Sequence, residues 1–315
     1  MKQMKLLNTF LSASTRLKTL TGKIHPGNEL IVSGVSESQK RHLAWWAARE
    51  SGMKGIYVAW NEMQARQALT DLSWLTGDRA IYLPSREIML YDVEARSFEQ
   101  TYDRITALIK ILEGDYDFVV TSAEAILHQL MPPLELSRYL LELKIGGESR
   151  IENLEEKLLE MGYERVDKVE GKAQYAVRGG IMDIYPINTE LPCRIEFFDI
   201  EVDSIRVFSP ETQRSIHTIE QLTVYPAREI IYTRSQIPAI TRRMQEALDR
   251  TLERVSKDIR PLLSKNISGY MEKLQDSHYF TGVDKFIPFI LEGKADLFEY
   301  TGEGHLLFFE EPART

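Results

Sequence analysis

Two groups of residues in this 315-residue chain have types and spacings suited to chemistry. The first is GVSESQKR, residues 34–41, which has the spacing of a phosphate-cradling loop with Gly34 and Lys40 in place. A working loop carries a second glycine just before the lysine and a Ser or Thr just after it. Here those positions hold Gln39 and Arg41. A Cβ at the glycine position obstructs the ring of backbone N–H groups that wraps the phosphates. A guanidinium cannot ligand magnesium. The loop is therefore expected to be a non-functional former nucleotide site serving as scaffold, with no ATP bound. Residual nucleotide binding without hydrolysis is the alternative.

The second group lies in residues 174–214, QYAVRGGIMDIYPINTELPCRIEFFDIEVDSIRVFSPETQR. Period-two alternation sends Cys193, Ile195 and Phe197 to one face of a strand and Arg194, Glu196 and Phe198 to the other. A phenylalanine sharing a face with an arginine and a glutamate has two readings. It is either a side chain covered by a neighbouring element or an aromatic anchor with charged partners, the combination enriched at protein–protein hot spots. No nucleophile, base and orienting group occur together anywhere in the chain, so no enzymatic activity is expected.

The elements that must hold these groups follow from pattern. Short apolar runs at 29–34, 55–60, 79–84 and 117–121 alternate with helical patterns at 38–50, from Asn61 to Leu75, at 98–113 and from Ser122 to Leu130. That alternation predicts a parallel α/β sheet with the phosphate-loop remnant after its first strand. Pro132-Pro133 then breaks the pattern. Residues 138–226 read as an α+β domain, in which the helix IENLEEKLLEMG covers an antiparallel sheet. After Pro226 the chain turns helical. Ile237, Ile240, Met244, Leu248, Leu252, Val255 and Ile259 form a core-facing stripe, with Ser235 as cap and Pro238 in the first turn. The end, DLFEYTGEGHLLFFEEPART, reads as a strand reaching a cut edge.

Composition narrows the function classes. The net charge is −8, and residues 139–226 hold 17 acidic against 10 basic side chains, a poor surface for phosphate backbones. The single cysteine, Cys193, excludes an internal disulfide and suits a reducing cytoplasm. The six histidines lack metal-ligand spacing, so no metal or other cofactor is expected. No apolar run is long enough to span a membrane. The cationic start lacks the pattern of a secretory signal and reads as a short amphipathic helix.

At YAVRGGIMDIYP and LPCRIEFFDIEVDSIRVFSPETQRS the chain resembles the second domain shared by the excision-repair protein UvrB and the bacterial transcription-repair coupling factors. LPSREIMLYD (83–92) and RITALIKIL (104–112) resemble the coupling factors' first domain, and the impaired phosphate loop is also on their side. The resemblance implies the UvrB-like amino-terminal module of such a factor, lacking the polymerase-binding and translocase domains. Its implied fold is an α/β, P-loop-type sheet domain (1–137, with 1–26 packing here or on the third domain), an α+β domain (138–226) and a helix-rich domain (227–315). The implied partner is UvrA, bound through Arg178, Arg194 and Phe198, with Arg206 a further candidate on the same surface. In the full-length protein, its own carboxy-terminal domain masks that face, and other domains engage RNA polymerase. A UvrB-like DNA-binding role needs an aromatic-rich hairpin, and the loop at 84–104 is too short for one.

Overall fold

The computed structural model describes residues 15–86, 98–276, 280, 282–293 and 295–314. Most of the LPSREIMLYD segment and the first 14 residues lie outside them, and Thr15–Thr21 is helical. The described chain forms two compact units. One comprises residues 15–86, 107–128 and 296–314, and the other comprises residues 98–106 and 129–295.

In the first unit, α1 (Glu37–Ser51) leads to β1 (Lys54–Ala59), and α2 (Glu62–Thr76) leads to β2 (Ala80–Leu83). Helix α2 begins where the Asn61 side chain accepts the Gln64 N–H at 2.8 Å, and it stops at Gly77 in a left-handed conformation. Helix α3 (Glu99–Glu113), which belongs to this unit from Ala107 on, precedes β3 (Phe118–Ser122), which is buried along its whole length. β1 and β3 approach so closely that a Cβ on Gly55 would sit 2.1 Å from the Phe118 ring, so only glycine fits there. Trp45, Trp46, Leu72, Leu75, Tyr57 and Val120 form the core between helices and sheet. Each such side chain contributes about 1.5–3 kcal/mol by burial.

In the second unit, β4 (Leu141–Lys144) pairs antiparallel with β11 (Gln221–Val224). Between them lie the helix α4 (Ile151–Glu160) and a six-stranded sheet. Its strands are β5 (Glu164–Arg165), β6 (Gln174–Arg178), β7 (Ile181–Tyr185), β8 (Cys193–Phe198), β9 (Glu201–Phe208) and β10 (Ser215–Ile219), side by side in chain order. All neighbours are antiparallel except β5 and β6. One face buries Tyr175, Met182, Ile184, Cys193, Ile195 and Ile205. The helix contributes buried Leu154 and Leu158. Helices α5 (Ile237–Arg254) and α6 (Arg260–Asp276) follow, and α5 buries Ile237, Ile240, Met244 and Leu248. The chain then returns to the first unit, where β12 (His305–Phe309) adds parallel to β1. The sheet order becomes β12-β1-β3-β2.

Four expectations need correction. Residues 29–34 form no strand, and Leu30, Ile31 and Val32 are 40%, 89% and 41% exposed. β12, remote in sequence, takes the place beside β1, and an apolar run without a ladder partner has nothing to make it a strand. The phosphate-loop remnant therefore follows an unpaired stretch. The helix after Ser122 is one turn, Ala123–Ile126, leaving Leu127 exposed. The α5 stripe ends early because Val255 turns extended and puts Ile259 in solvent. Ser235 sits inside a 3-10 turn capped by Thr233, whose N–H donates to Gln236 Oε1 at 2.8 Å.

Candidate docking face and a closed phosphate loop

The open face of the six-stranded sheet is built by register. The two-residue Gly179-Gly180 turn, with Gly179 at φ +60°, sets Arg178 directly across from Ile181. Ile181 pairs with Glu196, and Glu196 with Ser204. One rung along, Asp183 pairs with Arg194 and Arg194 with Arg206. Beyond Glu196 the partner of Phe197 is Val202, so β9 carries Asp203 as an extra residue. The bulge lies in β9, and alternation in β8 is unbroken. Arg194, Glu196 and Phe198 thus share a face, and Arg178 and Arg206 share it with them.

The side chains on that face are in different states. Phe198 is 79% exposed, so it is not covered by a neighbouring element. Arg194 is organised internally: its Nε and Nη2 donate to the two Asp183 carboxylate oxygens at 2.7 and 2.8 Å. Its guanidinium lies 4.8 Å from the centre of the buried Phe208 ring. The Asp183 hydrogen bond holds the Arg194 pKa above the ordinary guanidinium value. Arg206 donates to Glu196 at 3.0 Å, and Glu196 also accepts from Ser204 at 3.1 Å. Arg178 is exposed and donates to the Asp167 carbonyl. Phe208 packs with Val169 and Ala176, so segment 166–169 covers one part of the face. The part carrying Arg178, Ile181 and Phe198 stays open. Arg194 and Phe198 are four residues apart on β8, roughly 13 Å. Sequence reasoning passed over Asp183 and Phe208. The signal available was an acidic residue inside the apolar run IMDIY.

The phosphate-loop remnant has its own geometry. Gly34 turns the chain at φ +76°, and Ser36 precedes α1. Gln39 fills the second-glycine position and also folds back, its Oε1 accepting the Ser36 N–H at 3.0 Å. That side chain takes a helix N-terminal donor that a phosphate would use. Lys40 is met by Glu311 at 2.6 Å, Glu37 at 3.2 Å and Glu310 at 3.7 Å. Burial pulls the Lys40 pKa down, but the bonds to Glu311 and Glu37 outweigh it and the net shift is upward. Arg41, 1% exposed, contacts Gln64 at 3.0 Å, Asp71 at 3.3 Å and Glu310 at 3.5 Å. Burial and the hydrogen bond it donates to Glu37 raise the Glu310 carboxyl, while the same bond and Lys40 lower Glu37. The cations are neutralised by the chain's own carboxylates. Glu310 and Glu311 were invisible to motif reading because only β12 brings them here.

Among the described residues no cluster of three His, Cys, Asp or Glu side chains is arranged to hold a metal. No helix among them is long and apolar enough to cross a membrane.

Residues 141–230, which contain the whole six-stranded sheet, match the family described as the UvrB interaction domain. Beyond that domain, the chain is similar to transcription-repair-coupling factors over 98% of its length. It is 31% identical over 313 residues to that of Bacillus subtilis (strain 168) and 27% identical over 311 residues to that of Staphylococcus aureus (strain USA300). It spans about a quarter (26%) of the length of these relatives. The chain is thus similar to one part of the transcription-repair-coupling factors, and the open face lies within the residues that match the UvrB interaction domain.

Proposed function

We propose that this chain is a non-enzymatic docking module of transcription-coupled DNA repair. The open face of its UvrB interaction domain binds UvrA and so brings the excision machinery to a stalled RNA polymerase. The observation that carries this reading is Phe198. It is a large aromatic side chain, 79% exposed, at the end of β8, and Arg194 on that strand and Arg206 on the next are already oriented by carboxylates. An exposed aromatic on a sheet face that also carries guanidinium groups suits a partner offering an apolar pocket and, apart from it, carboxylates. Arg178, Arg194 and Phe198 form the proposed contact, with Arg206 at its margin.

In a longer protein of the coupling-factor kind, this face is also where a carboxy-terminal domain would dock to mask it, and the polymerase contact belongs to other domains. The excess of acidic residues over 139–226 weighs against a DNA-binding role. The carboxylates around Lys40 and Arg41 weigh against a nucleotide cofactor. Repair of bacterial DNA makes the cytoplasm its compartment. Co-purification of this chain with UvrA tests the reading. A complex is expected on size exclusion. Separate elution at tens of micromolar of each protein would overturn it.

A further inference from the structure

The outer sheet face contains one nearly buried carboxylate, Asp183, which is 4% exposed. A carboxylate in that position must be paired or it is costly. Both its oxygens are taken by Arg194, through Nε and Nη2. The Phe208 ring lies against the guanidinium. Arg194 keeps 21% of its side chain exposed, and among the described residues its Nη1 makes no hydrogen bond. An arginine normally loses rotamer freedom on binding, which costs affinity. Here two bonds and an aromatic wall fix the fork beforehand, with one nitrogen left to donate.

We propose that Asp183 is a positioning residue, which holds Arg194 rigid on the Phe208 ring so that its outward nitrogen meets an acidic group of the docking partner. This rests on the docking reading above and adds a residue that touches no partner atom. Asp183 acts only through Arg194. Its effect on binding therefore vanishes when Arg194 is absent, whereas a merely structural effect would persist.

Two measurements test this. The first is a double-mutant cycle in UvrA binding with the parent, Asp183→Asn, Arg194→Met and the double variant, each checked for folding by thermal melting. Asp183→Asn is expected to weaken binding about tenfold in the parent and to change it by less than about twofold in the Arg194→Met background. Equal loss in both backgrounds overturns the proposal. The second needs no partner: nitrogen NMR of the Arg194 guanidinium. Separate Nη1 and Nη2 signals in the parent should merge on Asp183→Asn as rotation is freed. Unchanged signals overturn the proposal. If the parent fails to bind UvrA, the docking reading falls, and the guanidinium signals still decide whether Asp183 positions Arg194.

Discussion

Asp183 and Arg194 face each other across β7 and β8 in a two-pronged ion pair, with the carboxylate 4% exposed and the guanidinium reaching solvent on one side. The pair ties a proposed binding side chain to the stability of its own sheet. Arg194 is thus a poor residue to truncate when the aim is to test binding alone.

Arg194→Ala is predicted to destabilise the protein by about 2 kcal/mol or more, because it strands the Asp183 carboxylate without its partner. Urea denaturation measures this. Replacing both residues by Asp183→Leu and Arg194→Met should recover most of the loss, since well-packed apolar groups often substitute for a buried pair at little cost. A single variant as stable as the parent would show that the pair holds nothing.

How much of this was legible in the sequence depends on how local each feature is. Alternation in β8 was readable because it is set by neighbours in the chain, and the structure keeps it. The caps at Asn61 and Ser122 were equally local. The partner of Arg194 lies on the preceding strand, and pairing Asp183 with it required the register fixed by the segment 186–192. The strand expected at 29–34 failed for the opposite reason. Its apolar run matches a buried strand, but β12, some 270 positions later, holds the place beside β1. Glu310 and Glu311 arrive at Lys40 and Arg41 by the same long-range pairing.

The closed phosphate loop predicts that calorimetry with ATP and magnesium gives no binding heat. Lys40 would have to abandon Glu311, and the Ser36 N–H would have to abandon Gln39, before a phosphate could enter. Saturable binding with turnover would contradict this.

His305 makes stability pH-dependent. Burial, helped by the nearby Lys54 ammonium, depresses its pKa below the usual imidazole value, and its Nε2 lies 2.9 Å from the Tyr116 hydroxyl. The folded state therefore prefers the neutral ring. Its contribution is fully present above the unfolded pKa of about 6.5 and is lost as pH falls through the depressed folded value. Urea midpoints should drop from pH 7.5 to 5.5, and the drop should shrink in His305→Asn. An equal drop in the variant would remove His305 as its cause.

Cys193 is 1% exposed, and burial pushes its thiol up to about 11. Thiolate is the reactive form, so native protein at pH 8 should resist iodoacetamide, while urea-unfolded protein labels readily. Rapid labelling of the folded chain would mean that β8 opens.

The central proposal is that the open face within residues 141–230 docks UvrA through Phe198. Because Phe198 is 79% exposed, Phe198→Ala should leave the melting temperature unchanged. Titration calorimetry of UvrA into parent and variant tests the claim most directly. Loss of about 2 kcal/mol or more of binding free energy, roughly thirtyfold in Kd, is the predicted result. Equal affinity of the two proteins would contradict it.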